Sequence, residues 1–231
     1  MSASDHESPP WKFQAGEQAS PAHEFNGLLT VLLANAEGLQ NLTDPGSQAR
    51  QLADDSVEAA NRCIALTRGL ETASSIQPRD GAQQASTPAG AESDFQARPE
   101  APERILLVED DDLLRDSVIS MLESLGYQVI PAENGPHALA LLDEYRDFDL
   151  LFTDVVMPGD LDGLELAQRA RQLMPGLAIL LTSGHPDLLE QGSFADVHRI
   201  HKPYRRGELA TCLQQCFAST RSAVASDRKT V

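Results

Sequence analysis

Between residues 104 and 218 the chain passes five times through the same pair of patterns, a short apolar run and then an amphipathic stretch. "RILLV" (104–108) precedes Asp112 to Leu125, "YQVI" precedes "GPHALALLDEY", and "DLLFTD" precedes "DGLELAQRARQLM". "LAILLTS" then precedes "PDLLEQG", and "VHRI" precedes "RRGELATCLQQCF". Apolar runs that do not alternate with polar residues belong to strands buried on both faces, the habit of parallel sheets covered by helices. The pattern predicts an α/β domain built on a five-stranded, doubly wound parallel sheet. Ligands of such sheets sit outside the carboxyl ends of the strands, at the switch in strand order.

That edge is where the chain concentrates its chemistry. The first strand ends in Glu109-Asp110-Asp111, the third in Asp154 and the fourth in Thr182, while Lys202-Pro203 follows the fifth. Carboxylates converging on one edge repel unless a cation or a proton lies between them. An all-oxygen cluster with room for water suits Mg²⁺, which keeps several waters and accepts phosphate oxygens. In that setting Asp154 is a candidate nucleophile toward a phosphoryl group, Thr182 a hydroxyl donor to a phosphate oxygen, and Lys202 a compact positive charge. Asp111 and Asp112 read as solvated or helix-capping residues.

The set "ILLVEDDDLLR", "LLFTDVVMPG", "LLTSGH" and "HKPY", in that order, resembles the receiver domain of two-component response regulators over residues 103–218. The resemblance implies a flavodoxin-like fold, an acidic pair Glu109 and Asp110, phosphoacceptor Asp154, switch hydroxyl Thr182, and Lys202 beside the phosphoryl group. It also implies Mg²⁺ held by Glu109, Asp110 and Asp154, with the Val156 carbonyl completing the shell. One position departs from the family: Arg199 stands where a Tyr or Phe usually precedes the lysine by three residues, so the usual coupling of hydroxyl to aromatic ring is in question. Residues 183–196, which hold the fourth helix, are short and polar for a helix that commonly forms a receiver dimer face.

Upstream, Phe25, Leu28, Leu32, Asn35, Leu39 and Leu42 recur at heptad spacing, and Leu52, Ser56, Ala59, Cys63, Leu66, Leu70 and Ala73 do so after the turn residues "TDPGS". The spacing predicts two helices folded back as an antiparallel hairpin over 20–77. Two helices bury little, so the hairpin is expected to dimerise into a four-helix bundle. In this register His23 falls on the side farthest from the seam and is expected in solvent. Its ring is a competent nucleophile, and the adjacent Glu24 is a candidate to orient it or take its proton.

"HEFNGLLTVLLANAEGL" with "ANRCIALTRGL" resembles the dimerisation and phosphoacceptor domain of histidine kinases, especially hybrid kinases. The resemblance implies His23 as phosphoacceptor and Glu24 as its acidic neighbour. Members that also dephosphorylate receivers usually carry Asn or Thr where Gly27 stands, so water positioning by that residue is absent. No glycine-rich nucleotide lid lies between the two modules, and the chain alone is not expected to use ATP or to act as an autonomous kinase.

Residues 78–102 are rich in Pro, Ala, Gly, Ser and Gln and predict a flexible linker; residues 1–19 and 219–231 read as a disordered start and a flexible tail. With 18 Lys and Arg against 35 Asp and Glu, net −17, attraction to nucleic acid is disfavoured. No apolar run reaches membrane-span length and no signal-peptide core opens the chain, so a cytoplasmic location is expected. The three cysteines match no metal or disulfide spacing and read as reduced thiols. These features point to a phosphorelay protein whose partners are a sensor histidine kinase, other phosphorelay proteins and a second copy of itself. Two alternatives are a receiver that acts alone as regulator or phosphate sink while the hairpin merely dimerises, and a kinase remnant served by an ATP-binding domain in trans.

Overall fold

A computed structural model describes residues 21–74, 102–159, 161–184 and 197–227. Two helices, α1 (Pro21–Leu42) and α2 (Gln48–Ser74), precede an alternation of β1 (Arg104–Val108), α3 (Asp112–Ser124), β2 (Gln128–Ala132), α4 (Gly135–Tyr145), β3 (Leu150–Asp154), α5 (Gly163–Leu173), β4 (Ala178–Ser183), β5 (His198–His201) and α6 (Arg206–Asp227). The expected start (1–19), nearly all of the 78–102 linker and the segment assigned to the fourth helix of the alternating part lie outside the described residues, as do the Leu70 and Ala73 side chains. The last helix runs on to Asp227, past Ser219 where a tail was expected, because "STRSAVASD" contains neither Gly nor Pro to stop it.

The five strands pair in parallel in the order β2-β1-β3-β4-β5. Successive residues of a strand face opposite sides, and the two cores divide accordingly. Leu106, Val108, Leu151 and Leu181 pack with α4 and α5, whereas Ile105, Leu107, Leu150, Phe152 and Leu180 pack with α3 and α6. Asp111 caps α3 by accepting from the Leu114 N–H, and Asn134 and Asp162 cap α4 and α5 in the same way. Each cap satisfies one donor that a helix start leaves open.

The hairpin turns at Asp44-Pro45-Gly46, where Ser47 N–H donates to the Asp44 carbonyl and Gly46 takes a φ of +83° that suits a residue without Cβ. Its internal core is Leu29 and Leu33 of α1 against Ala60 and Ile64 of α2. That contact lies to one side of the heptad seam: Phe25, Leu28, Leu32, Leu39, Leu52 and Leu66 are exposed in the single chain, Leu32 by 57%. A different side of α1 lies on the receiver-like part. Val31 joins Leu114, Val118 and Met121 of α3 in the second sheet core, burial that contributes about 1.5–3 kcal/mol for such a side chain.

Gly163 shows how tightly the site's strand is packed. A Cβ there would lie 1.8 Å from the Asp154 carbonyl oxygen and 2.9 Å from the Val155 Cα. Gly163→Ala must therefore push α5 away from the end of β3, at a cost of about 1–3 kcal/mol. Urea unfolding is expected to show that loss, and an unchanged midpoint would mean that α5 shifts freely.

Candidate functional site

The carboxyl ends of β1, β3 and β4 and the residue after β5 meet as the alternation requires. Asp154 pairs in register with Thr182, and Thr182 with Ile200; the Lys202 N–H donates to the Ser183 carbonyl and so places the lysine beside the strand ends. The Lys202–Pro203 peptide is cis. Lys202 Nζ donates to Glu109 Oε2 at 2.8 Å and to Asp154 Oδ2 at 2.5 Å, and all three groups are buried. Burial acts to lower the Lys202 pKa, but the facing Asp154 and Glu109 carboxylates outweigh it and hold the ammonium charged, above its ordinary range. Glu109 is pushed up to about 7, first by burial and then by Asp154, against the pull of Lys202. Asp110 is exposed, and its carboxyl is also raised, chiefly by partial burial.

Glu109, Asp110 and Asp154 each place a carboxylate oxygen within 4.8 Å of the others. Two anions at the floor and one facing solvent form a donor set that fits a hard divalent cation with water on its open side. Val156 follows closely, its N–H donating to Asp154 Oδ1 at 3.1 Å. The Thr182 hydroxyl is buried, and no hydrogen-bond partner satisfies its oxygen among the described residues. An oriented but unengaged hydroxyl one strand from Asp154 is placed to meet an added oxygen ligand. Arg199 lies on β5, half-buried, and the large buried ring near Lys202 is instead Tyr204, tilted at 50° to the Phe152 ring with centroids 6.2 Å apart.

His23 is not in solvent. It is 8% exposed, and its Nε2 lies 3.4 Å from Asp154 Oδ2. The helix side expected to face water is covered by the alternating domain, a contact that heptad spacing within the hairpin cannot reveal. Glu24, one position farther round the helix, stays at the surface. The approach is close on both sides: a Cβ on Gly184 would lie 3.2 Å from the His23 Cα and 3.2 Å from its Nδ1. Gly27 faces Leu114 of α3, where an added Cβ would make ordinary contact at 3.5 Å.

Residues that sequence patterns did not single out hold the hairpin in place. The Asn26 amide donates to the Gly184 carbonyl at 3.1 Å, and the Arg206 N–H donates to Glu37 Oε2 at 3.2 Å. The Arg205 guanidinium donates to the Asn61 side chain. Asn26 lies within the histidine-bearing motif, three residues after His23, and so shares its helix face.

Residues 105–214 match the response regulator receiver domain family. The response regulator receiver protein CpdR of Brucella abortus (strain 2308) is 46% identical over 81 residues, covering 35% of this chain and 66% of its own length. The sensor kinase CckA of the same organism is 33% identical over 115 residues, covering 48% of this chain and 12% of its own length. The chain thus spans just under two thirds of the first relative and a small part of the second. Among solved structures, an adenylate cyclase from Rhodopirellula baltica superposes with a TM-score of 0.50 at 28% identity, over 56% of this chain and 97% of that one.

Proposed function

Since residues 105–214 are a response regulator receiver domain working in two-component phosphorelay signalling, we propose that this chain passes a phosphoryl group between His23 of its hairpin and Asp154 of its receiver. The observation that carries this reading is the 3.4 Å separation of His23 Nε2 and Asp154 Oδ2. A nucleophile and an acceptor this close need only part far enough to admit the phosphorus between them, in line and with charge neutralised, for phosphoryl transfer. In the forward step the Nε2–P bond breaks while an Asp154 Oδ–P bond forms; the electron pair returns to the imidazole, which then binds a proton. Lys202 neutralises the phosphoryl oxygens, and the Thr182 hydroxyl donates to one of them.

Glu109, Asp110 and Asp154, with the Val156 carbonyl, are the residues to hold Mg²⁺, which supplies positive charge to the transferring group when bound. With Glu109 pushed up to about 7, metal binding must displace a proton from it. Mg²⁺ affinity is therefore expected to rise with pH up to about 7 and then level off, and calorimetry in buffers of different ionisation enthalpy is expected to report proton release. Glu109→Gln should weaken binding and flatten the profile; a flat wild-type profile would contradict the assignment. In the metal-free protein the sign is opposite for stability. Between the ordinary carboxyl value of 4.5 and about 7 the folded protein keeps a proton that the unfolded chain has lost, so this group makes stability fall as pH rises through that window.

The phosphoryl donor is a sensor histidine kinase or another phosphorelay protein. The exposed stripe of Phe25, Leu28, Leu32 and Leu39, with Leu52 and Leu66 of α2, is the face on which a second copy completes a four-helix bundle. A cytoplasmic setting accords with this chemistry, and no helix among the described residues is long and apolar enough to cross a membrane.

Labelling with candidate kinases and labelled ATP tests the transfer. Asp154→Asn is expected to trap acid-labile, base-stable label on His23, while the wild type accumulates base-labile label on Asp154 and His23→Ala breaks the route. Label that reaches Asp154 normally in His23→Ala, with none trapped in Asp154→Asn, would leave the receiver acting alone.

A further inference from the structure

We propose that Asn26 is a positioning residue for exchange between His23 and Asp154, tying the histidine-bearing turn of α1 to the segment that carries the Thr182 hydroxyl. The inference rests on the His23–Asp154 reading and extends it to a residue that touches neither the phosphoryl group nor Asp154.

Asn26 is 3% exposed, and its amide donates to a main-chain carbonyl, that of Gly184, across 158 residues of sequence. Gly184 ends the run Thr182-Ser183-Gly184, whose first member pairs in register with Asp154. The hydrogen bond therefore joins the two parts of the chain that must be aligned for in-line transfer: the turn presenting the imidazole and the strand end presenting the hydroxyl. Geometry on the helix side is equally constrained. Asn26 stands three residues after His23, on the same face, and its own carbonyl accepts from the fully buried Thr30 hydroxyl. The Gly184 backbone lies against both residues, so that an added Cβ would be 3.2 Å from His23 Nδ1 and 3.6 Å from the Asn26 Cβ. A sliding helix would carry His23 away from Asp154, and at Gly27 the contact with Leu114 leaves room for an added Cβ. The amide adds a directional constraint to the apolar packing of Val31 against α3.

Asparagine suits this place because the partner is an acceptor. Aspartate has the same shape but offers only acceptors, and would set a carboxylate against the Gly184 carbonyl; leucine fills the volume with no donor; glutamine keeps the donor one methylene farther out. Loss of the constraint shifts reacting atoms by a fraction of their separation, and misplacements of that order slow oriented reactions by about ten- to a hundredfold.

The test uses the full chain, Mg²⁺ and acetyl phosphate as a small donor to Asp154. Base-labile label reports the aspartyl phosphate, and acid-labile, base-stable label reports phosphoryl groups moved on to His23. Asn26→Asp and Asn26→Leu are expected to acquire Asp154 label at least as fast as the wild type but to move it to His23 about tenfold or more slowly, with Asn26→Gln recovering part of the rate. A generally loosened structure would not give this split, because Asp154 labelling requires a folded receiver. Wild-type exchange rates in both Asn26→Asp and Asn26→Leu would overturn the positioning role and leave His23–Asp154 transfer standing. Equal slowing of both labels would also overturn it. A wild-type chain that labels Asp154 and never His23 would overturn both readings.

Discussion

Lys202→Met is expected to destabilise the metal-free protein by about 3–5 kcal/mol at mildly alkaline pH and to abolish stable phosphorylation of Asp154. The lysine is the only cation donating to both Glu109 and Asp154 among the described residues, and all three are buried. Removing it leaves two buried carboxylates facing each other without the ammonium that bridges them, and methionine restores volume without restoring charge. The penalty should shrink as pH falls, because Glu109 can then take up a proton in the folded state. Its carboxyl is pushed up to about 7 even with the lysine in place, and loses its main opposing influence without it. Urea unfolding of wild type and variant across that pH range reads the difference directly. A loss of stability that does not vary with pH would mean that Lys202 contributes packing rather than charge. Saturating Mg²⁺ should restore part of the stability, since it supplies the missing counter-charge.

Gly184→Val is expected to separate the hairpin from the receiver while leaving both folded. An added Cβ already falls 3.2 Å from two His23 atoms, one of them backbone, and branching leaves it nowhere to turn. With α1 displaced, Asp154, which is fully buried beneath His23, becomes open to acetyl phosphate. Its labelling should accelerate, whereas exchange with His23 should fall by about a hundredfold, the order expected for a misplacement of an ångström or more. Hydrogen exchange in α1 around residues 23–30 should speed up in the same variant, while the protection of β3 and β4 persists. Unchanged labelling on both counts would show that the hairpin already leaves the receiver freely.

The receiver was readable almost element by element because each signal was local. Unbroken apolar runs marked the strands, Asp111 was among the residues read as solvated or helix-capping, and the polar residues that ended the runs fell at one edge of the sheet. Their convergence follows from parallel topology alone, and Lys202 bridging Glu109 and Asp154 realises it. The hairpin was harder to read because "LLTVLL" is apolar on nearly every side of its helix. Such a helix has more than one contact to make, and periodicity cannot say which partner takes which face. Leu29 and Leu33 turn to α2 and Val31 to α3, while Leu28 and Leu32 remain at the surface. For the same reason His23 reads as exposed when the hairpin is considered by itself. What covers it is more than a hundred residues away in sequence, and the only local hint was Asn26, a polar residue on the same face.

Val31 closes the sheet core beside α3 two residues before Leu33 closes the hairpin core with α2. One helix is thus a wall of two rooms. The hairpin and the receiver are clasped to each other through α1 itself. Any rearrangement of the receiver surface around α3 must therefore press on the hairpin from inside, without a signal having to travel along the connecting chain.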